Sequence, residues 1–286
     1  MSEVLTTEQL REEIIRLGPW HYDIEVTSEI STRVWQEAPP GTYPESLGPV
    51  TITDVEQGFF YKLRRHYPDG LAGRTLLDCA CNCGAYLFWA KEYGAGDCFG
   101  FDVRDHWIKQ ARFLAEHRTE PSDGIRFDVR DLYDLPDLGL QPFDVTLFNG
   151  IFYHLPDPIS GLKIAADLTK DLIMLNTATR SGHPDGFLSA DNESRENILD
   201  GVYGLNWLPT GPEVLERILR WLGFADTFVT WWNKESHIPG WGRLEIIASR
   251  TPDGLEPFRA GGPLKGGAFK PKRGTSESPD SQDESG

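Results

Sequence analysis

The sequence predicts an α/β fold in which a mostly parallel sheet carries helices on both faces. Three observations lead there. The stretch Arg74 to Ala90 reads as a short apolar strand (Leu76, Leu77) reaching an acidic residue, Asp78, then a turn of small residues (Ala80, Asn82, Gly84), then a helix. Strand, tight turn and helix in that order open a nucleotide-binding α/β unit. A second acidic residue, Asp102, ends the next apolar stretch, roughly 20 residues on, a distance that suits a carboxylate holding a ribose. Beyond Thr75, strand and helix patterns alternate.

The elements follow in order. Thr6-x-x-Gln9 resembles a capping box, Leu10, Ile14 and Leu17 recur at helical spacing, and Gly18-Pro19 stops the helix. Trp20-His-Tyr-Asp-Ile24 is an aromatic cluster that either packs this helix onto the main domain or forms a lid over a site. Residues 36–50 read as a loop, and 55–66 as a helix with Phe59 and Leu63 inward. Strands are expected at 75–79, 98–103, 125–129, 143–149 and 171–177, with helices at 85–93, 105–117 and 159–168. Residues 179–206 break the alternation and read as an insertion shaping the substrate side. A helix at 212–222 and strands at 225–232 and 243–249 follow, then a polar tail expected to be flexible. The expected organisation is a helix and lid segment at 1–54, a core domain at 55–251 with its insertion at 179–210, and the tail at 252–286.

A chain of 286 residues can bury a full core. It has no long apolar run, and its first residues lack the basic flank and apolar core of a signal peptide, so a cytoplasmic protein without a membrane span is expected. The net charge of −16 argues against a broad nucleic-acid footprint, and Lys62, Arg64 and Arg65 read as a solvated helix face. Cys79, Cys81 and Cys83 alternate, so an extended backbone would point them to one side. That spacing poorly suits a tetrahedral ion, and all four cysteines, Cys98 included, read as small buried thiols.

With these residues in view, the sequence resembles the class I S-adenosylmethionine-dependent methyltransferases. Leu77-Asp-Cys-Ala-Cys-Asn-Cys-Gly84 is similar to that family's first motif, Asp102 to its ribose-binding acid, and Asp131 to its adenine-contacting position. Phe143-Asp-Val-Thr-Leu-Phe-Asn-Gly150 is similar to the fourth motif. The resemblance covers about residues 55–250 and implies a Rossmann-like, seven-stranded sheet, mostly parallel with its last strand antiparallel. It implies S-adenosyl-L-methionine as cofactor, bound through Asp78, Ala80, Cys81, Asn82, Gly84, Asp102, Val103, Asp131, Leu132 and Asn149. Gly150-Ile-Phe-Tyr-His-Leu-Pro-Asp-Pro158, Asn206-Trp-Leu-Pro-Thr210 and the early aromatic cluster resemble the branch of bacterial tRNA wobble-uridine methyltransferases and their small-molecule relatives. Ala80 replaces a family glycine, a change tolerated only where φ stays negative, whereas Asn82 suits a left-handed conformation.

Methyl transfer to a hydroxyl needs a base, and histidine is the side chain tuned for that near neutral pH. His154, beside Tyr153 after the fourth strand, is the candidate base or orienting residue; His21, His106, His183 and His237 lack a supporting motif. Asp157 could help hold a divalent ion, although two such residues do not make a metal site. Trp20, Tyr22 and Trp207 are expected to face the acceptor, while Trp221 is expected to fill the core. The expected activity is methylation, at oxygen, of a small hydroxylated molecule such as a saccharide or secondary metabolite. The alternatives are a tRNA wobble-uridine enzyme, possibly with a carboxylated cofactor, and a cofactor-binding regulator without turnover. Oligomeric state is not legible.

Overall fold

A computed structural model describes residues 5–43, 53–235 and 238–261. Of the expected features, part of the 36–50 loop, His237 and the tail from 262 onward lie outside the described residues.

The chain opens with α1 (Thr7–Leu17), whose capping box forms as expected: Gln9 N–H donates to Thr6 Oγ1, and the Gln9 side chain accepts from Thr6 N–H at 2.8 Å. A short hairpin, β1 (Glu25–Thr27) and β2 (Ile30–Ser31), then leads towards α2 (Thr53–His66). The regular alternation follows as β3 (Leu76–Cys79), α3 (Ala85–Glu92), β4 (Cys98–Asp102), α4 (Asp105–His117), β5 (Ile125–Val129), β6 (Phe143–Asn149), α5 (Pro158–Asp167) and β7 (Thr169–Arg180). The insertion supplies a second hairpin, β8 (Leu188–Asn192) with β9 (Leu205–Pro209). The chain continues with α6 (Pro212–Trp221), β10 (Asp226–Asn233), β11 (Trp241–Ser249) and α7 (Glu256–Arg259).

Seven strands form one sheet in the order β10-β11-β7-β6-β3-β4-β5. Only β11 runs against the others, pairing antiparallel with both β7 and β10. This is the expected Rossmann-like sheet. All four residues of β3 are buried, as befits a central parallel strand with helices on both faces. One core, holding Leu76, Leu87 and Ile108, joins α1 through α4 to the sheet; the other, holding Leu77, Leu162 and Leu219, lies under α5 and α6. From β3 the chain moves outward to β4 and β5, then returns to place β6 on the other flank of β3. That reversal opens a crevice at the carboxyl ends of the strands, where ligands of such sheets bind.

Three expectations change. The start of the tail is packed: Phe258 of α7 is buried, and Arg259 pairs with Asp226 and donates to Thr227 O at 3.2 Å. Trp221, expected in the core, is 68% exposed because it lies at the end of α6, beyond the buried Leu215 and Leu219. The cysteines do not share one side: Cys79 packs into the core under α5, Cys81 and Cys83 into the other, because the strand ends at Cys79 and the chain turns at Ala80. All four thiols are buried, and burial pushes those of Cys83 and Cys98 up to about 12.

Candidate functional site

The turn after β3 sets the site. Ala80 and Asn82 both take left-handed conformations, with φ of 59° and 53°, so the condition that Ala80 keep a negative φ is not met. Such a conformation in a non-glycine residue stores about 1–3 kcal/mol and persists only where the surroundings hold it. Here they do. Cys81 N–H donates to Phe101 O at 2.9 Å, Gly84 N–H to Cys81 O at 2.8 Å, and Cys83 N–H to the Asn82 side-chain oxygen at 2.7 Å. Gly84 takes a φ of 81°, and a Cβ there would lie 2.5 Å from the Phe127 ring. Asp102, at the end of the neighbouring strand, receives Asn82 N–H at 3.1 Å on one oxygen and Arg104 N–H at 3.0 Å on the other. Burial raises its carboxyl above the ordinary range, and those two amides pull it back.

Ala80, Asn82, Asp102 and Arg104 help bound a cavity of about 1080 Å³ at the carboxyl ends of β3, β4 and β6. Single-ligand pockets span roughly 300–1,000 Å³, so the space exceeds what one ligand needs. One half is lined by Ala80, Asn82, Asp102, Val103, Leu132 and Asn149. Asn149 Oδ1 is buried there without a partner among the described residues, an orphaned acceptor on the cavity wall. Asp131 also lines this half, but both its oxygens are engaged, one by Tyr133 N–H at 3.0 Å and one by the Tyr203 hydroxyl. Burial and the Asp131 charge push the Tyr203 phenol upward. Arg104 reaches the carbonyl of Asp200. The insertion, expected on the substrate side, therefore also closes over the half that holds Asp102 and Asp131.

Asp78, Cys81 and Gly84, all buried, are not on the cavity wall. Asp78 is buried with Oδ2 unpartnered among the described residues, and burial together with Asp102 holds its carboxyl well above the usual carboxylate range.

The other half is aromatic and polar. His21 and Tyr22 of the early cluster line it, with Tyr61, Tyr86, Tyr153 and His154. The cluster thus packs on the main domain and also contributes to the cavity wall. Its Trp20, expected to face the acceptor, is instead 2% exposed, donates to Ile14 O at 2.7 Å and packs on Phe113. Trp207 is also displaced from the cavity: on β9 it turns its Nε1 to Pro156 O at 3.2 Å. His21 is pushed down to about 4, by burial first and by the Arg243 guanidinium second, so it is neutral near pH 7 and a weak base. His106 bonds Gln110 and packs outside the cavity, and His183 does not line it. Asp157 caps α5 through Ser160 N–H at 3.1 Å, and no cluster of three metal-ligating side chains occurs among the described residues.

His154 sits in a 3₁₀ turn, Phe152–His154, directly after β6. Its ring lies 3.9 Å from that of Tyr153, whose hydroxyl accepts from Arg243 Nη1 at 3.3 Å. Its Nδ1 lies 2.6 Å from Glu193 Oε1. Lys62, expected on a solvated face, is 9% exposed and pairs with Glu245 at 2.6 Å on the cavity wall; Glu245 also accepts from Thr230. Sequence reasoning missed Glu193, Tyr203, Arg243 and Glu245. Arg243 and Glu245 did leave a signal, since two charges at alternate positions interrupt an apolar strand on one face only.

Residues 71–202 match the model of the family described as Methyltransferase domain. A tRNA U34 carboxymethyltransferase of Campylobacter hominis is 33% identical over 147 residues, covering 49% of this chain and 50% of that protein. One of Ectopseudomonas mendocina is 31% identical over 196 residues, covering 65% of this chain and 57% of that protein. The chain thus spans about half the length of the curated relatives it matches. Among solved structures, the N-terminal domain of EvdMO1, determined in the presence of SAH and D-fucose, superposes with a TM-score of 0.64 at 16% identity, covering 87% of this chain and 99% of that one. That likeness establishes the shared fold. No helix among the described residues is long and apolar enough to cross a membrane.

Proposed function

We propose that this chain, whose residues 71–202 match the Methyltransferase domain model, is an S-adenosylmethionine-dependent enzyme that transfers a methyl group to a hydroxyl of a small polyhydroxylated acceptor, a saccharide or secondary metabolite, as a cytoplasmic O-methyltransferase. The make-up of the outer half of the cavity carries this reading. Aromatic side chains (Tyr22, Tyr61, Tyr153, Trp231) share the wall with hydrogen-bonding groups (Thr230, Glu245), the latter two joined to each other by a hydrogen bond. A sugar ring offers C–H faces to the first set and hydroxyls to the second. The D-fucose present with the EvdMO1 domain lends support, since it is a sugar-sized molecule used with the same fold.

In this reading Asn82, Asp102, Val103, Leu132 and Asn149 hold the cofactor, Ala80 forms its floor, and Asp131 is fixed by Tyr203. Asp102 accepts the ribose hydroxyls, and amides at the start of α3 serve a carboxylate. When bound, the cofactor supplies an electrophilic methyl on a sulfonium sulfur, which keeps the electron pair of the broken bond. The chain's own task is alignment, exclusion of water and removal of one proton. His154 takes the proton that the acceptor oxygen sheds, and Tyr153, steadied by Arg243, orients that oxygen. No metal ion enters the proposal.

His154→Ala tests it: turnover of hydroxylated glycosides should fall about 10²–10⁴-fold with S-adenosylhomocysteine binding retained. A second reading, modification of tRNA at U34, is favoured by the activity for which the sequence relatives are named. It requires tRNA binding that weakens steeply with salt, and the net charge of −16 weighs against it.

A further inference from the structure

The insertion between β7 and α6 places a carboxylate behind the proposed base. We infer that Glu193 is a positioning residue: it holds the imidazole of His154 with its proton on Nδ1, so that Nε2 is the nitrogen that takes the acceptor's proton. This rests on the reading of His154 as that base.

Glu193 follows β8, and its N–H donates to Gly204 O at 3.1 Å. Its side chain is 6% exposed and that of His154 17%, so neither belongs to a solvated surface pair. A carboxylate this buried needs donors close by. Two groups stand within reach: the Asn206 amide and the His154 imidazole, the latter close without meeting hydrogen-bond geometry. His154 Nδ1 is 2.6 Å from Oε1, with the oxygen off the ring's N–H axis, a looseness common before an acceptor is bound. The buried Asn206 of β9 is assigned with its amide nitrogen towards Glu193, the orientation that satisfies its neighbours, 3.2 Å from each oxygen and 3.1 Å from Tyr153 O. Gly201 closes the remaining side. A Cβ there would crowd Glu193 Oε2 and meet His154 Cβ and Nδ1 at 2.9 Å, so a larger residue would have to displace the pair. The cavity wall includes His154 and Gly201, and the ring lies on Tyr153, whose hydroxyl bonds Arg243.

The proton balance is simple. The acceptor O–H bond breaks, its electron pair forms the new bond to carbon, and the proton passes to Nε2. The resulting imidazolium, stabilised by the Glu193 carboxylate, returns the proton to water. A carboxylate behind a histidine fixes tautomer and ring orientation in just this way without itself becoming protonated.

Glu193→Gln is the informative variant. The Asn206 amide would hold the new side-chain oxygen, presenting the new NH₂ to Nδ1 and driving the ring proton to Nε2. Nitrogen-15 NMR of the full chain with labelled histidine, near about pH 8.5 where a free imidazole is neutral, should show the Nδ1–H tautomer for His154 in the wild type and Nε2–H in Glu193→Gln. With labelled cofactor and a panel of methyl glycosides, kcat should fall about 10²-fold or more, with KM changed less than about threefold. Glu193→Asp, keeping the charge, should recover part of that loss, and unchanged S-adenosylhomocysteine binding reports that the variants fold. A wild-type ring already protonated on Nε2, or one unmoved by the substitution, overturns the assignment. A tautomer change without turnover of any glycoside counts against the proposed acceptor and leaves the role of Glu193 intact.

Discussion

The backbone N–H of Asn82 donates to the Asp102 carboxylate at 3.1 Å, joining the turn after β3 to the end of β4. One carboxylate thereby fixes the turn and lines the cavity. Asp102→Asn should weaken S-adenosylhomocysteine binding about 10- to 100-fold, the range for losing hydrogen bonds to a charged group. Calorimetric titration of both proteins gives the ratio; a change under threefold would contradict the role.

Ala80 occupies a left-handed conformation that a glycine adopts without a Cβ penalty. Relief of about 1–2 kcal/mol of strain outweighs the extra chain entropy of glycine, about 0.4–1 kcal/mol. Ala80→Gly should therefore stabilise the chain by roughly 0.5–1 kcal/mol in urea unfolding, with cofactor affinity little changed. Destabilisation would mean that the methyl group of Ala80 is needed for packing.

Asp78 gives stability a defined pH dependence. Its carboxyl is raised above the ordinary value by burial and by Asp102. Its contribution is therefore fully present below the unfolded value of about 3.9 and is lost as pH rises through the raised folded one. Asp78→Asn removes that loss, so the variant should gain on the wild type as pH is raised from about 4 to about 8. Urea unfolding across that range measures the difference, and a constant gap between the two would refute it.

Tyr203 supplies the hydroxyl that engages Asp131. In Tyr203→Phe, one oxygen of a partly buried carboxylate loses its partner, which should change stability by no more than about 1 kcal/mol. Cofactor affinity should drop about three- to tenfold, because the segment around residue 200 would close less firmly over Asp131. Thermal unfolding and calorimetry separate the two effects.

What the sequence disclosed follows from local physics. The strand–turn–helix at 74–90, the acid at Asp102 and the alternation of strands and helices are each set by neighbours along the chain, and they give the sheet and the inner half of the cavity. The outer half depends on contacts between distant segments. Glu193 meets His154 only because the β8–β9 hairpin folds back over the turn after β6, and Lys62 meets Glu245 across 183 positions. No spacing rule reports such a pair. The tryptophans misled for the same reason. Trp20 and Trp207 stand in the right segments, but each indole N–H is drawn to a nearby carbonyl, of Ile14 and of Pro156, rather than to the cavity.

Transfer of labelled methyl from S-adenosylmethionine, measured in parallel on a panel of deoxyhexose glycosides and on bulk tRNA, tests the proposed activity most directly. Label should enter a glycoside, as a base-stable methyl ether, in a reaction abolished by Asp102→Ala and His154→Ala. Label in tRNA alone, or no binding of S-adenosylhomocysteine at millimolar concentration, would contradict it.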